Sequence, residues 1–115
     1  MAVGKIQSTR AVSADLGDGT SGISHYGRVW KDPNTKTCRI QIAARKSSDI
    51  ATSDVLATVP SGFRPTENSP IYGYFYTSSG LVAAYYGAVN ANGDVRQYLG
   101  NTIREVFLVG EYSYE

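Results

Sequence analysis

One histidine and one cysteine bound the nucleophilic and acid–base chemistry open to this chain. Any Ser-His-Asp or Cys-His arrangement must run through His25. His25 shares a strand face with Ile23 and Val29, with no strand-local carboxylate in phase to orient it. It reads as a packed or hydrogen-bonded structural histidine. Cys38 is alone, which rules out an internal disulfide and a cysteine-rich metal site. In phase with Ile40 and Ile42, it reads as a buried structural thiol. His25 and Cys38 fall on partner strands of one hairpin, both on the core side, so a histidine–cysteine pair is imaginable but disfavoured. Asp15 and Asp18 with Gly17 and Gly19 have the outline of a calcium loop. The further oxygen ligands and terminal glutamate that an EF-hand requires are missing, so a turn-rich linker is the better reading. There is no phosphate loop, dinucleotide fingerprint or CxxC. Paired carboxylates for glycoside hydrolysis depend on spacing in space, and most acids here lie in turns or near the C-terminus. No catalytic residue, no metal ligand and no cofactor is expected.

Nine tyrosines and one tryptophan are the more informative chemistry. Tyrosine has a large flat face and one polar end, which suits strand edges, subunit interfaces and saccharide stacking. Each tyrosine taken singly fits a half-buried pleated surface. As a set, with Tyr72, Tyr74 and Tyr76 in phase and Tyr85, Tyr86 and Tyr98 following, they imply an exposed recognition surface. The strand that carries Tyr72, Tyr74 and Tyr76 has no basic residue, and stacking platforms for nucleic acid sit in positive grooves. Net charge is +1, so no strong field draws nucleic acid or an anionic membrane. No apolar run approaches a membrane span, and the first residues lack the apolar stretch of a secretory signal. Production in a cytoplasm, or excision from a larger protein, is the expectation.

Strands must position these residues. Abundant glycine and tyrosine with scarce leucine favour strands and turns over helices, and 115 residues suffice for one core. The expected division is a strand or linker segment over 1–22 and a head domain over 23–115. Val3 to Val12 is a weak strand candidate, and Asp15 to Gly22 reads as a loop. Ile23 to Lys31 places Ser24, Tyr26, Arg28 and Trp30 on one face. Asp32-Pro-Asn-Thr35 suits a type I turn. Thr37 to Arg45 then alternates, with Cys38, Ile40, Ile42 and Ala44 inward, completing a hairpin. Lys46 to Asp54 reads as a loop and Val55 to Val59 as a strand. Ile71 to Thr77, Leu81 to Asn90 and Val95 to Leu99 are strands joined by turns at Ser78–Gly80 and Ala91–Asp94, the latter with an Asn-Gly signal. The final strand runs from Arg104 to Tyr114. Its Val106-Phe-Leu-Val109 is apolar on both faces, which implies cover on both sides. That cover is either a second sheet with the N-terminal segment or a neighbouring subunit. The pattern predicts an all-β antiparallel sandwich of jelly-roll type.

The stretch Val55-Leu-Ala-Thr-Val-Pro-Ser-Gly-Phe-Arg-Pro65 divides two sets of strands. Pro60 stops a strand, Gly62 suits a turn with positive φ, and Phe63 folds back as an apolar anchor with Arg64 pointing elsewhere. Before it come Tyr26-Gly-Arg-Val-Trp30 and the alternating Cys38 to Ile42; after it come Asn92-Gly-Asp-Val95 and Val106-Phe-Leu-Val-Gly-Glu-Tyr112. This order, over roughly Ile23 to Tyr114, resembles the C-terminal receptor-binding head domain of bacteriophage tail-tip and tail-fibre proteins. The proline–small–glycine–aromatic–arginine–proline corner carries most of the resemblance.

The resemblance implies a jelly roll assembled as a homotrimer in a virion tail tip or baseplate, made in a bacterial host and touching other phage tail proteins. It implies non-enzymatic binding of a host cell-surface carbohydrate, with the corner as architecture. No binding motif matches position by position, so the candidate ligand-binding residues rest on chemistry. Trp30, Tyr74, Tyr76 and Tyr86 are stacking surfaces, Arg28 and Arg96 donors to hydroxyls, and Asp94 an acceptor. The alternatives are a structural tail-tip or baseplate module whose aromatics serve subunit contacts, and a glycan-degrading tail component.

Overall fold

The computed structural model describes residues 12–77, 80–99 and 103–114, the side chains of 81–86 excepted. The candidate strand over Val3 to Val12 therefore lies almost wholly outside the described residues. Among the described residues nine strands follow in order: β1 (Val12–Asp15), β2 (Gly17–Asp18), β3 (Ile23–Asp32), β4 (Thr37–Ile50), β5 (Ala57–Thr58), β6 (Ser69–Thr77), β7 (Gly80–Val89), β8 (Asp94–Gln97) and β9 (Ile103–Ser113). All pairings are antiparallel, and one continuous sheet holds every strand in the order β1-β3-β4-β9-β6-β7-β8-β5-β2. The all-β antiparallel expectation holds. One rolled sheet, nearly closed into a barrel, stands where hydrogen bonding was expected to divide into two.

Strands β6, β7 and β8 form a meander, and β9 returns to lie beside β6. The spatial order 9-6-7-8 is a Greek key. The return inserts β9 between β4 and β6, strands that are both distant from it in sequence, and it ladders with each of them. Alternation then decides the faces. Ile40, Ile42, Ile71, Phe75, Val106 and Leu108 point inward and are fully or almost fully buried.

The closure of the roll falls on a segment that the sequence presents as a loop. Asp15 to Gly22 contributes the end of β1 and all of β2, which are the two edges of the sheet. Leu16, the single residue between them, is 8% exposed and joins the core. Thr20 fastens the far side: its amide donates to the Val55 carbonyl at 2.8 Å, and its Oγ1 accepts from the Val55 amide at 2.8 Å. Turn-forming residues thus sit here because the chain must cross from one edge to the other within a few residues. The apparent linker is the seam of the barrel.

Two further boundaries differ from the sequence reading. β4 continues to Ile50 through an irregularity after Arg45, because Ile50 is buried and pairs with Ile103. The polar run over 46–49 therefore lies on a strand rather than in a loop. The expected strand over Val55 to Val59 narrows to Ala57–Thr58, although single bonds continue it at both ends. Leu56 N donates to Val95 O at 2.7 Å and Val59 N to Gly93 O at 2.8 Å.

The corner at Pro60 forms as anticipated. Phe63 N donates to Pro60 O at 3.1 Å, with Gly62 at φ 92°, a backbone region that glycine enters without strain. The corner then docks on the end of the barrel. Lys31 Nζ donates to Gly62 O at 2.7 Å and sits 4.7 Å from the Phe63 ring centre and 4.8 Å from that of Tyr114. Tyr112 donates its hydroxyl to Phe63 O at 2.6 Å. Arg64 does not point away: its Nε donates to Val59 O at 2.9 Å, bracing the turn from within.

Candidate functional site

The outward face of β3-β4-β9-β6 is where the sequence-level candidates converge. Ladder register aligns its side chains in rows across the strands. Tyr26, Ala43, Phe107 and Tyr74 form one row; Arg28, Gln41, Val109 and Tyr72 form the next. Trp30, Arg39 and Glu111 form a third. Rows lie two residues apart along the strands, about 7 Å.

Much of this face is apolar and uncovered. Tyr26 is 70% exposed, Tyr72 and Tyr74 each 54%, and Val109 53%. Phe107 is exposed too, and its ring meets Tyr76 edge to face at 6.4 Å between centres and 74° between planes. Ala43 is buried although it is on the outer face, between Tyr26 and Phe107 in register. Its small side chain leaves the floor of a trough of about 540 Å³. Tyr26, Trp30, Tyr74 and Phe107 wall the trough, and Arg28 and Gln41 supply polar groups.

Two glycines let the strands bend there. A Cβ on Gly27, which has φ 149°, would meet Gln41 O at 2.1 Å, and one on Gly73 would meet Phe107 O at 1.7 Å. Only glycine allows that approach of neighbouring backbones. Next to Gly73 the register with β7 shifts, and Tyr74 follows that irregularity.

Arg28 is held at the rim. It donates through Nη1 to Asp15 Oδ1 and through Nη2 to Ser13 Oγ at 2.9 Å, both on edge strand β1. Arg39 lies over Trp30, 5.6 Å from the ring centre. This cation–π contact braces the tryptophan ring.

Of the residues selected from sequence, Trp30, Arg28 and Tyr74 line the trough. Tyr76 stands beside it through its contact with Phe107. The side chain of Tyr86 lies outside the described residues; its backbone pairs with Tyr72. Asp94 and Arg96 are elsewhere, on β8, separated from β9 by β6 and β7. They pair with each other at 3.3 Å, and Asp94 also accepts from Asn92 Nδ2 at 3.4 Å, so these groups shape the β7–β8 turn. Tyr26, Gln41 and Phe107 were missed. Tyr26 carried a usable signal, being in phase with Arg28 and Trp30. The signal for Phe107 is only its place in a strand apolar on both faces.

The nucleophilic candidates are apart. β3–β4 register sets His25 opposite Ala44 and Cys38 opposite Lys31, six residues along the strand or about 20 Å. His25 does have a carboxylate, supplied by the seam: its Nε2 is 3.1 Å from Asp18 Oδ1. Cys38 is fully buried, and burial pushes its thiol pKa up against the opposing pull of Lys31 and a hydrogen bond with Tyr112. Burial likewise raises the Tyr112 phenol well above its ordinary range, with Cys38 adding to the effect. Among the described residues no cluster of three or more His, Cys, Asp or Glu converges as a metal site. No protein-family model and no curated protein matches this chain.

Proposed function

We propose that this chain is a non-enzymatic recognition head that binds a cell-surface saccharide in the outer-face trough. One observation carries the reading: four aromatic rings wall a shallow open trough about 540 Å³ in volume, with Arg28 and Gln41 at its polar positions. The C–H face of a pyranose stacks on an aromatic ring, while a few fixed donors and acceptors select its hydroxyls. Arg28 is pre-set for that task by Asp15 and Ser13. The resemblance to phage tail heads supports the rest of the proposal: a jelly-roll path, a homotrimer, a place in a virion tail tip or baseplate, and contacts with other tail proteins.

A second reading is favoured by Phe107 and Val109. Both are exposed apolar groups on a strand that pairs on both sides within the sheet, and contiguous apolar patches of this kind often mark protein interfaces. The face would then be covered by another copy in a structural tail-tip module.

Trp30 is the only tryptophan, so its fluorescence reports on the trough directly. A glycan array followed by titration of the best neutral saccharide is expected to shift Trp30 emission. Tyr74→Ala should weaken binding at least about tenfold, as truncation of an aromatic anchor does. Absence of binding at any multivalent presentation, with light scattering showing an assembly that Phe107→Ser dissolves, would select the interface reading instead.

A further inference from the structure

A second, chemically different cleft adjoins the trough, and Trp30 is the wall between them. It measures about 300 Å³ and is lined by Trp30, Asp32, Thr35, Thr37, Arg39 and Glu111. The trough is aromatic; this cleft holds hydroxyls, two carboxylates and one guanidinium. The β3–β4 hairpin fixes its far end. Asp32 Oδ1 accepts from Asn34 N at 2.9 Å, and the Thr35 and Thr37 hydroxyls are 2.7 Å apart. Arg39 and Glu111 are directly opposite across β4 and β9. Both line the cleft, and no ion pair joins them among the described residues.

Register gives the two volumes a common axis. From the row of Tyr26 through those of Arg28 and Trp30 to that of Asp32 and Thr37 is three steps along the strands. At two residues a step this is about 20 Å, several pyranose rings long. Along that line the surface changes from apolar to polar, and the change occurs at Trp30.

We infer that the trough and the cleft are two subsites of one site for a neutral oligosaccharide lying along the strands, with Trp30 stacked at their junction. The inference rests on the saccharide reading above and specifies its ligand. A sugar carrying an apolar substituent, such as an N-acetyl methyl, occupies the trough, where rings and Val109 receive it. A hydroxyl-rich unit occupies the cleft, bonded by Arg39, Glu111 and the threonine hydroxyls. Two carboxylates against one cation make the cleft a poor host for a uronate or a phosphorylated unit.

The test is a length series of N-acetylglucosamine oligomers, from one to five units, titrated against the intact chain by calorimetry and Trp30 fluorescence. Affinity is expected to rise by at least tenfold between the monomer and the tetramer. Glu111→Gln and Arg39→Ala should each remove most of that gain, and Glu111→Gln should leave monomer affinity unchanged. A glucose series of the same lengths should bind more weakly at every length, for want of the acetyl methyl. Equal affinity for monomer and tetramer, or a tetramer indifferent to both substitutions, would overturn the two-subsite inference while leaving the trough reading intact. If neither series moves Trp30 emission and the glycan array is also blank, the saccharide reading itself falls, and this inference with it.

Discussion

Leu16→Ala is the substitution that tests how this sheet is closed. Leu16 is the residue between the two edge strands, and it is buried in the common core although turn-forming residues surround it in sequence. Truncating a buried leucine removes its transfer free energy and leaves a cavity, which costs about 2–5 kcal/mol. The lower half of that range applies if the chain beside Leu16 relaxes inward. Thr20 resists such movement, since both its amide and its hydroxyl are bonded to the backbone of Val55. A cost of about 3 kcal/mol is therefore expected, against a total of about 6–17 kcal/mol for a domain of this length. With a urea slope of about 1–3 kcal/mol/M, the midpoint should fall by about 1–3 M. Urea unfolding monitored by Trp30 emission measures it, with Ser21→Ala as an exposed control. Hydrogen exchange should localise the loss, with β5 amides exchanging faster than those of β4 and β9. If Leu16→Ala costs less than about 0.5 kcal/mol, as an exposed-loop substitution does, then the seam is not structural and the closure argued above is wrong.

Other outcomes follow from the same contacts. Tyr112→Phe leaves the Phe63 carbonyl without its 2.6 Å donor and should destabilise the chain by about 1–3 kcal/mol in thermal or urea unfolding. Cys38, buried and with its thiol pKa raised, should remain unmodified by a thiol-specific disulfide reagent at pH 8 and react on unfolding. Reaction at the rate of a free thiol in the native state would contradict this. For Asp54, burial raises the carboxyl pKa, but hydrogen bonds from Ala51 N and Lys46 Nζ, with the Lys46 charge, outweigh it and lower the pKa overall. A lowered folded-state pKa stabilises the fold above the unfolded value and loses that stability as pH falls through the folded one. Asp54→Asn should thus cost about 1 kcal/mol at pH 7, and the difference from wild type should shrink below about pH 4. A gap that is constant from pH 7 to pH 2 would refute the assignment.

The candidate site was partly legible in sequence because two of its strands declare their own faces. Tyr26, Arg28 and Trp30 are two apart, as are Tyr72, Tyr74 and Tyr76, and a period of two is a property of any extended strand. Neighbouring strands were not legible. Asp94 and Arg96 have suitable chemistry for a saccharide, but β8 lies on the far side of β6 and β7, and no local pattern encodes that distance. For the same reason the carboxylate beside His25 is not one that its own strand could reveal: Asp18 reaches it only because β2 comes round to close the barrel.

By itself the sequence determined an all-β chain, the turns at Gly62 and Gly93, and the inward and outward faces of the long strands. Each of these depends on a few adjacent residues: side-chain alternation, or a glycine that tolerates positive φ. Only the tertiary structure decided that β9 enters between β4 and β6. That insertion sets Phe107 between Ala43 and Tyr74 and so makes a trough out of residues more than thirty positions apart in places. It also turned Asp15 to Gly22 from an apparent linker into the seam. Strand order is a long-range choice, made by burying Ile103, Val106 and Leu108 against strands from both halves of the chain, and short-range periodicity carries no record of it.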